Sequence, residues 1–311
     1  MKNALIIGGS GGLSSVVARF AMKEYKVWAL TRGNRTLPDG VNPIVADRNN
    51  REAFENALIS QGVKWDVVFD CICMNAEHAS VDIEMLSKVT ERLVVVSTDS
   101  VYHPFFKRTP QDEEGIYIEE DGETADVSYG CNKRRMEETF IKSFDDEKCK
   151  LKITLFRPGH IYGPGFVLGC FPENNRQKEL PELILKGEAM RLVGMGTYII
   201  QPIFVDDLAR AMVECVDKEK AYNNIFCIGG PDAVENRRYY EIIGEALGVP
   251  VEIDEVPLKG YLDAHPEYSG HLCHRIYDLS KLAGTGVRLP DTTLEEGIRI
   301  HLKSMGYSNL K

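Results

Sequence analysis

The sequence predicts a doubly wound α/β fold, a parallel sheet covered by helices on both faces, with a smaller C-terminal substrate-binding lobe. Three observations point to it. A glycine cluster, Gly8-Gly9-Ser10-Gly11-Gly12, lies between an apolar run and an amphipathic run near the N-terminus. Short apolar runs then alternate with segments of helical periodicity, the pattern of a parallel sheet with helical crossovers. At 311 residues the chain is too long for one small module and suits a large sheet domain with a smaller companion.

Taken in order, Ala4-Leu5-Ile6-Ile7 reads as a buried strand within 3–7, and Leu13, Val16, Val17, Phe20 and Ala21 recur at helical spacing after the glycines. Lys26-Val27-Trp28-Ala29-Leu30 closes a βαβ unit. Further strands are expected at 42–45, 66–73, 92–97 and 151–156, then a helix near 206–216 and a strand at 225–228. This divides the chain into a sheet domain of 1–165 plus about 203–230, and a lobe of about 166–202 plus 231–311, where prolines and glycines interrupt the helices. The acidic, turn-rich stretch 108–126 reads as a solvated loop, with a lid over a site as the alternative.

A glycine turn between strand and helix lets backbone approach a phosphate while helix N–H groups face it, so the expected ligand is a dinucleotide pyrophosphate on Gly8, Ser10, Gly11, Gly12 and Leu13. The spacing is Gly8-x-x-Gly11-x-x-Ser14, with a small residue in place of a third glycine. Thr31-Arg32 ends the second strand where an enzyme preferring NAD places a carboxylate for the ribose, which favours NADP over NAD as cofactor. Asp47 is expected at the adenine edge, with Arg48 also on the cofactor.

The fifth strand opens into Ser97-Thr98-Asp99-Ser100-Val101-Tyr102, at the strand ends where open parallel sheets bind ligands. Tyr129 and Lys133 then lie four apart on one helical face. A tyrosine is a poor base at neutral pH, and a nearby ammonium stabilises its phenolate. The same spacing occurs at Tyr277/Lys281, far past the sheet, and at Tyr307/Lys311, at an end expected to be frayed and exposed. Only Tyr129/Lys133 follows a strand ending in hydroxyls and precedes a helix and a sixth strand.

With these motifs the chain resembles an extended short-chain dehydrogenase/reductase of the NAD-dependent epimerase/dehydratase family, built on a Rossmann fold and acting mostly on nucleotide sugars. The resemblance also rests on Arg157-Pro158-Gly159-His160-Ile161-Tyr162-Gly163-Pro164-Gly165 and Phe204-Val205-Asp206-Asp207-Leu208-Ala209-Arg210-Ala211. It implies that Thr98, Tyr129 and Lys133 form the catalytic triad, that Lys133 also binds the nicotinamide ribose, that Pro158 and His160 line the nicotinamide, and that His160 faces substrate. Asp99, Ser100 and Arg275 are the further substrate candidates. Dehydratases of the family carry Thr-Asp-Glu, and Ser100 after Thr98-Asp99 disfavours dehydration. Sugar-nucleotide members carry an arginine shortly before Val205-Asp206-Asp207, where this chain has Ile200. That stretch looks more like the branch containing the chloroplast stem-loop-binding proteins, some of which have moved toward RNA.

A net charge of −10 argues against a nucleic-acid or membrane surface, and there is no apolar run of membrane-span length or basic-apolar leader. Eight cysteines without a C-x-x-C read as free thiols in a reducing, cytoplasmic setting. His271-Leu272-Cys273-His274 lacks a second ligand pair, so no metal is expected. The expectation is an NAD(P)-dependent oxidoreductase or epimerase acting on a hydroxyl or carbonyl of a sugar-like small molecule, with a homodimer as a possible assembly. The alternatives are an NADPH-dependent net reductase of a non-nucleotide carbonyl compound, and a non-catalytic dinucleotide- or RNA-associated protein.

Overall fold

The structure is a computed structural model and describes residues 2–119 and 125–311. The first half runs β1 (Lys2–Ile7), α1 (Gly12–Ala21), β2 (Tyr25–Thr31), β3 (Asn42–Val45), α2 (Arg51–Ile59), β4 (Val67–Asp70), α3 (Ala76–Leu86), β5 (Arg92–Val96), α4 (Ala125–Phe144) and β6 (Lys152–Pro158). It continues through β7 (Ile161–Tyr162), α5 (Leu180–Leu185), β8 (Met190–Val193), β9 (Ile199–Ile200), β10 (Ile203–Phe204), α6 (Val205–Glu214) and β11 (Asn224–Ile228). The chain ends with β12 (Val234–Glu235), α7 (Asn236–Leu247), β13 (Ile253–Val256), α8 (Leu258–Ala264), α9 (Ser280–Ala283) and α10 (Leu294–Ser304).

Seven parallel strands form one sheet in the order β11-β6-β5-β4-β1-β2-β3. The order reverses between β1 and β4, which opens a crevice beyond their C-terminal ends. β4 stops at Asp70, short of the expected 66–73, because the Asp70 carboxylate accepts the Ile72 N–H at 2.7 Å and turns the chain. The helices are capped as their sequences dictate. Asn50 and Asn75 accept N–H groups of the first turns of α2 and α3, and Thr293 caps α10, which has Glu295 and Glu296 in its first turn and Lys303 in its last.

One face of the sheet is covered by α1 and α6, with Val17, Leu208, Met212 and Phe226 in the core. The other carries α2, α3 and α4, with Phe54, Met85 and Phe140 inside. A third core, around Tyr239, Tyr240, Ile298 and Leu302, holds the C-terminal lobe together. Leu282 and Val287 join the first sheet core, because α9 packs on β11. Tyr162 and Phe204 point their apolar bulk into the lobe core.

The chain end is not frayed: Lys311 N–H donates to Ala246 O, and Arg299 Nε donates to Lys311 O, each at 2.9 Å. Nor is 108–119 a solvated loop, since Gln111 and Glu113 are buried. Gln111 N–H donates to Ile276 O at 2.7 Å, and Glu113 accepts the Cys227 N–H at 2.8 Å. The rest of the stretch read as a lid, 120–124, lies outside the described residues. No helix among the described residues is long and apolar enough to cross a membrane.

Candidate active site

The glycine turn follows β1 directly. Gly8 sits at φ +97°, where a side chain is strained, and a Cβ there would stand 2.7 Å from Ile72. Ser14 explains the missing third glycine: its hydroxyl donates to Gly8 O at 2.5 Å and accepts the Gly11 N–H at 2.9 Å, stapling the turn. The first N–H groups of α1, at Gly12 and Leu13, have no acceptor within their own helix and lie at its positive end. This cradle fits an anion such as a pyrophosphate.

At the end of β2, Thr31 accepts the Gly33 N–H at 3.1 Å and Arg32 is exposed. Asp47 is turned onto Asn49, accepting from its backbone and side-chain nitrogens at 3.0 Å. Arg48 is the other cofactor candidate at this end of the sheet. It is buried, and its guanidinium is taken up by Asp70 and, at 3.0 Å, by Asp82. Asp70, Cys73 and Asp82 are the one group of metal-type ligand atoms among the described residues, and Arg48 sits against both carboxylates. His271 lines the cavity described below and stacks on Phe171 at 3.7 Å, and His274 accepts the Ile199 N–H.

Thr98 lies two residues beyond β5 and accepts the Ser100 N–H at 3.2 Å. Gly130 carries α4 close to this turn, because a Cβ there would lie 2.4 Å from Ser100 O. That approach sets Tyr129 beside Thr98 on one cavity wall, while the Thr98 hydroxyl itself donates to Ser100 Oγ at 3.3 Å. Burial pushes the Tyr129 phenol up, and Thr98 and the Arg176 charge pull it back. One turn on, Lys133 is buried and donates to Cys73 O at 2.7 Å and Val96 O at 2.8 Å, tying α4 to β4 and β5. Burial without a carboxylate partner lowers its pKa.

Behind these residues lies a buried polar layer. Arg157 makes a two-pronged pair with Glu137, at 2.9 and 2.7 Å, and donates to the Tyr102 hydroxyl at 2.6 Å. Ser97 donates to Glu137 at 2.6 Å. Pro158 and His160 continue from Arg157 into a cavity of about 700 Å³, whose wall also includes Thr98, Ser100, Tyr129 and Arg176. His160 Nε2 is buried without a hydrogen-bond partner, and its imidazole is held neutral, down to about 4, by burial and by the charges of Arg176 and Arg275.

Asp99 and Arg275, both expected to meet substrate, line this cavity and pair with each other. The Asp99 carboxylate is buried against the Arg275 guanidinium, the Lys107 ammonium at 2.7 Å and the Tyr277 hydroxyl at 2.8 Å. The two cations hold it ionised, well below the usual carboxylate range, so it is no proton donor. Tyr277 is thus part of the site's support. Tyr277→Phe removes a buried hydrogen bond to a charge, with an expected loss of about 1.5–3 kcal/mol in urea unfolding.

A parallel sheet with a glycine turn at its switch point, and a Tyr–Thr–Lys set beyond β5, describes a dinucleotide-dependent oxidoreductase architecture. The NAD dependent epimerase/dehydratase profile matches residues 4–229, and the chain belongs to that family of NAD(P)-dependent oxidoreductases and epimerases. Among solved structures, UDP-glucose 4-epimerase of Thermotoga maritima with UDP-glucose superposes with a TM-score of 0.78 at 21% identity, covering 98% of both chains. UDP-N-acetylglucosamine 4-epimerase of Methanobrevibacter ruminantium, in complex with UDP-N-acetylmuramic acid, has a TM-score of 0.78 at 18% identity over 98% of both chains. The dTDP-glucose 4,6-dehydratase of Bacillus anthracis, in complex with NAD, has a TM-score of 0.76 at 18% identity over 98% of this chain and 97% of its own. A comparison with curated proteins gave no match.

Proposed function

We propose that this protein is an NAD(P)-dependent oxidoreductase or epimerase that works by hydride transfer at a hydroxyl or carbonyl carbon of a sugar or nucleotide-sugar-like substrate. The observation that carries the reading is that Thr98 and Tyr129 share the wall of one cavity, with Tyr129 one helical turn from the buried Lys133. The dinucleotide, when bound, accepts or supplies the hydride. Tyr129 takes the proton of the substrate hydroxyl as its carbon is oxidised, and returns it on reduction. Thr98 donates a hydrogen bond to the same oxygen, and Lys133 fixes the helix that carries Tyr129. Gly8, Ser10, Gly11, Gly12 and Leu13 hold the pyrophosphate, and Pro158 and His160 border the nicotinamide.

NADP is the cofactor this reading favours, because Thr31 and the exposed Arg32 stand where a ribose-binding carboxylate would repel a 2′-phosphate. Arg32→Ala is expected to weaken NADP binding about ten-fold, the scale of one charge-assisted contact, and to leave NAD nearly unchanged. Fluorescence titration with both dinucleotides checks this, and equal losses would remove the assignment. A cytoplasmic, homodimeric enzyme completes the proposal. Its test is the dinucleotide released on denaturing the purified protein, followed by incubation with UDP-glucose and UDP-N-acetylglucosamine. Retained dinucleotide with epimer formation supports epimerisation. Accumulating reduced or oxidised cofactor supports net redox chemistry, and neither outcome with any sugar would overturn the enzymatic reading.

A further inference from the structure

The chemistry assigned to Thr98, Tyr129 and Lys133 leaves three features of the cavity wall unused. The first is a buried cluster with more cations than carboxylates, on a wall that also carries Glu119 and Glu173. Asp99 is one carboxylate shared by two cations, and the side chains of Asp99, Lys107 and Arg275 are only 3%, 4% and 15% exposed. A net positive charge held in low dielectric is costly unless a ligand or solvent answers it.

The second is Arg176, which lines the same cavity and has no carboxylate partner among the described residues. Its backbone holds φ at +51°, in the left-handed region where a non-glycine residue is strained. The loop that imposes this is tied at both ends: Gln177 N–H donates to Leu168 O at 2.9 Å, and Asn174 Nδ2 donates to Arg191 O at 3.0 Å. The third is a pair of buried polar atoms with no partner, His160 Nε2 and Asn175 Oδ1, both from residues on the cavity wall. Buried polar atoms without partners are rare, and a pair on one cavity wall marks where a ligand completes the bonding. The neutral His160 reports the same field, since the charges of Arg176 and Arg275 both disfavour its protonation.

We propose that this wall is an anion subsite in which Arg176, backed by the surplus charge of Lys107 and Arg275, receives an anionic group of the substrate, while His160 and Asn175 bond neighbouring hydroxyls. The proposal rests on the hydride-transfer reading of the same cavity. The shared chemistry is a compact oxyanion on a sugar, and it has two sources, the diphosphate of a nucleotide sugar or the carboxylate of a sugar acid. Ile200, buried on the same wall, offers no charge for either. Arg275 cannot release Asp99 without leaving a buried carboxylate with Lys107 as its one remaining cation, beside the Tyr277 hydroxyl. Arg176 is therefore the cation placed to respond to a ligand.

The test is calorimetric titration of the dinucleotide-loaded protein at low salt with UDP-glucose, glucuronate and glucose, repeated for Arg176→Met and Arg176→Lys. At least one of the two anionic ligands is expected to bind about ten-fold or more tightly than glucose, the scale of one charge-assisted pair. Arg176→Met should erase that preference without changing glucose binding, and Arg176→Lys should restore part of it. Which anion gains separates diphosphate from carboxylate. Equal binding of all three, no binding of either anion, or a preference that survives Arg176→Met would each overturn the subsite. Tyr129→Phe separates this from the chemistry. An anion preference retained with turnover unaffected would count against hydride transfer through Tyr129 and leave the subsite standing.

Discussion

Replacing Tyr129 by phenylalanine is expected to lower turnover by roughly 10²–10⁴-fold, the range of a positioned acid/base, with dinucleotide affinity nearly unchanged. The substitution keeps the ring, which is 39% exposed on the cavity wall beside Thr98, and removes only its oxygen. Lys133→Met should damage turnover and cofactor affinity together. It also strips the Cys73 and Val96 carbonyls of a buried donor, at a cost of about 1–3 kcal/mol for each group left without a partner. The two variants are distinguished by following reduced nicotinamide by absorbance alongside urea unfolding. A phenylalanine variant that stays folded and turns over at the wild-type rate would move the acid/base role elsewhere.

The sheet was legible because its strands are short apolar runs between turn residues, and each such run reports its own burial. β4 was misjudged only where the Asp70 side chain, rather than hydropathy, ends the strand. Tyr129/Lys133 could be chosen among three equally spaced pairs by its place after a hydroxyl-ended strand. What stayed hidden depends on residues far apart in the chain. Asp99 reads locally as an open carboxylate, yet its partners include Arg275 and Tyr277 from the far end of the chain. Arg48 reads as a strand-end cation until α3 supplies Asp82. The acid-rich stretch around Glu113 reads as solvated because composition carries no sign that β11 offers it a buried N–H. Charge patterning reports a local sequence, and ion pairing is decided by topology.

The largest expected loss of stability comes from Glu137, a residue no motif singled out. Glu137 and Arg157 are essentially unexposed, at 0% and 1% of their side chains. The Glu137 carboxylate accepts from Arg157 Nε, Arg157 Nη2 and Ser97 Oγ, and its charge helps raise the Arg157 pKa well above the ordinary value. Breaking a buried pair leaves an uncompensated charge in low dielectric, so Glu137→Ala is expected to cost about 3–5 kcal/mol. Glu137→Gln should cost less, because the amide keeps the shape and one acceptor for the guanidinium. Urea unfolding of both variants measures the difference, and an alanine midpoint equal to that of the wild type would show that Arg157 is satisfied without its carboxylate. The loss should reach the site as well, since Glu137 lies one helical turn beyond Lys133 and Arg157 leads directly into Pro158, Gly159 and His160. The ion pair clamps the helix bearing the acid/base to the loop that forms the cavity wall. The glutamine variant, if folded, is therefore expected to show a lower kcat than its modest stability loss alone would give.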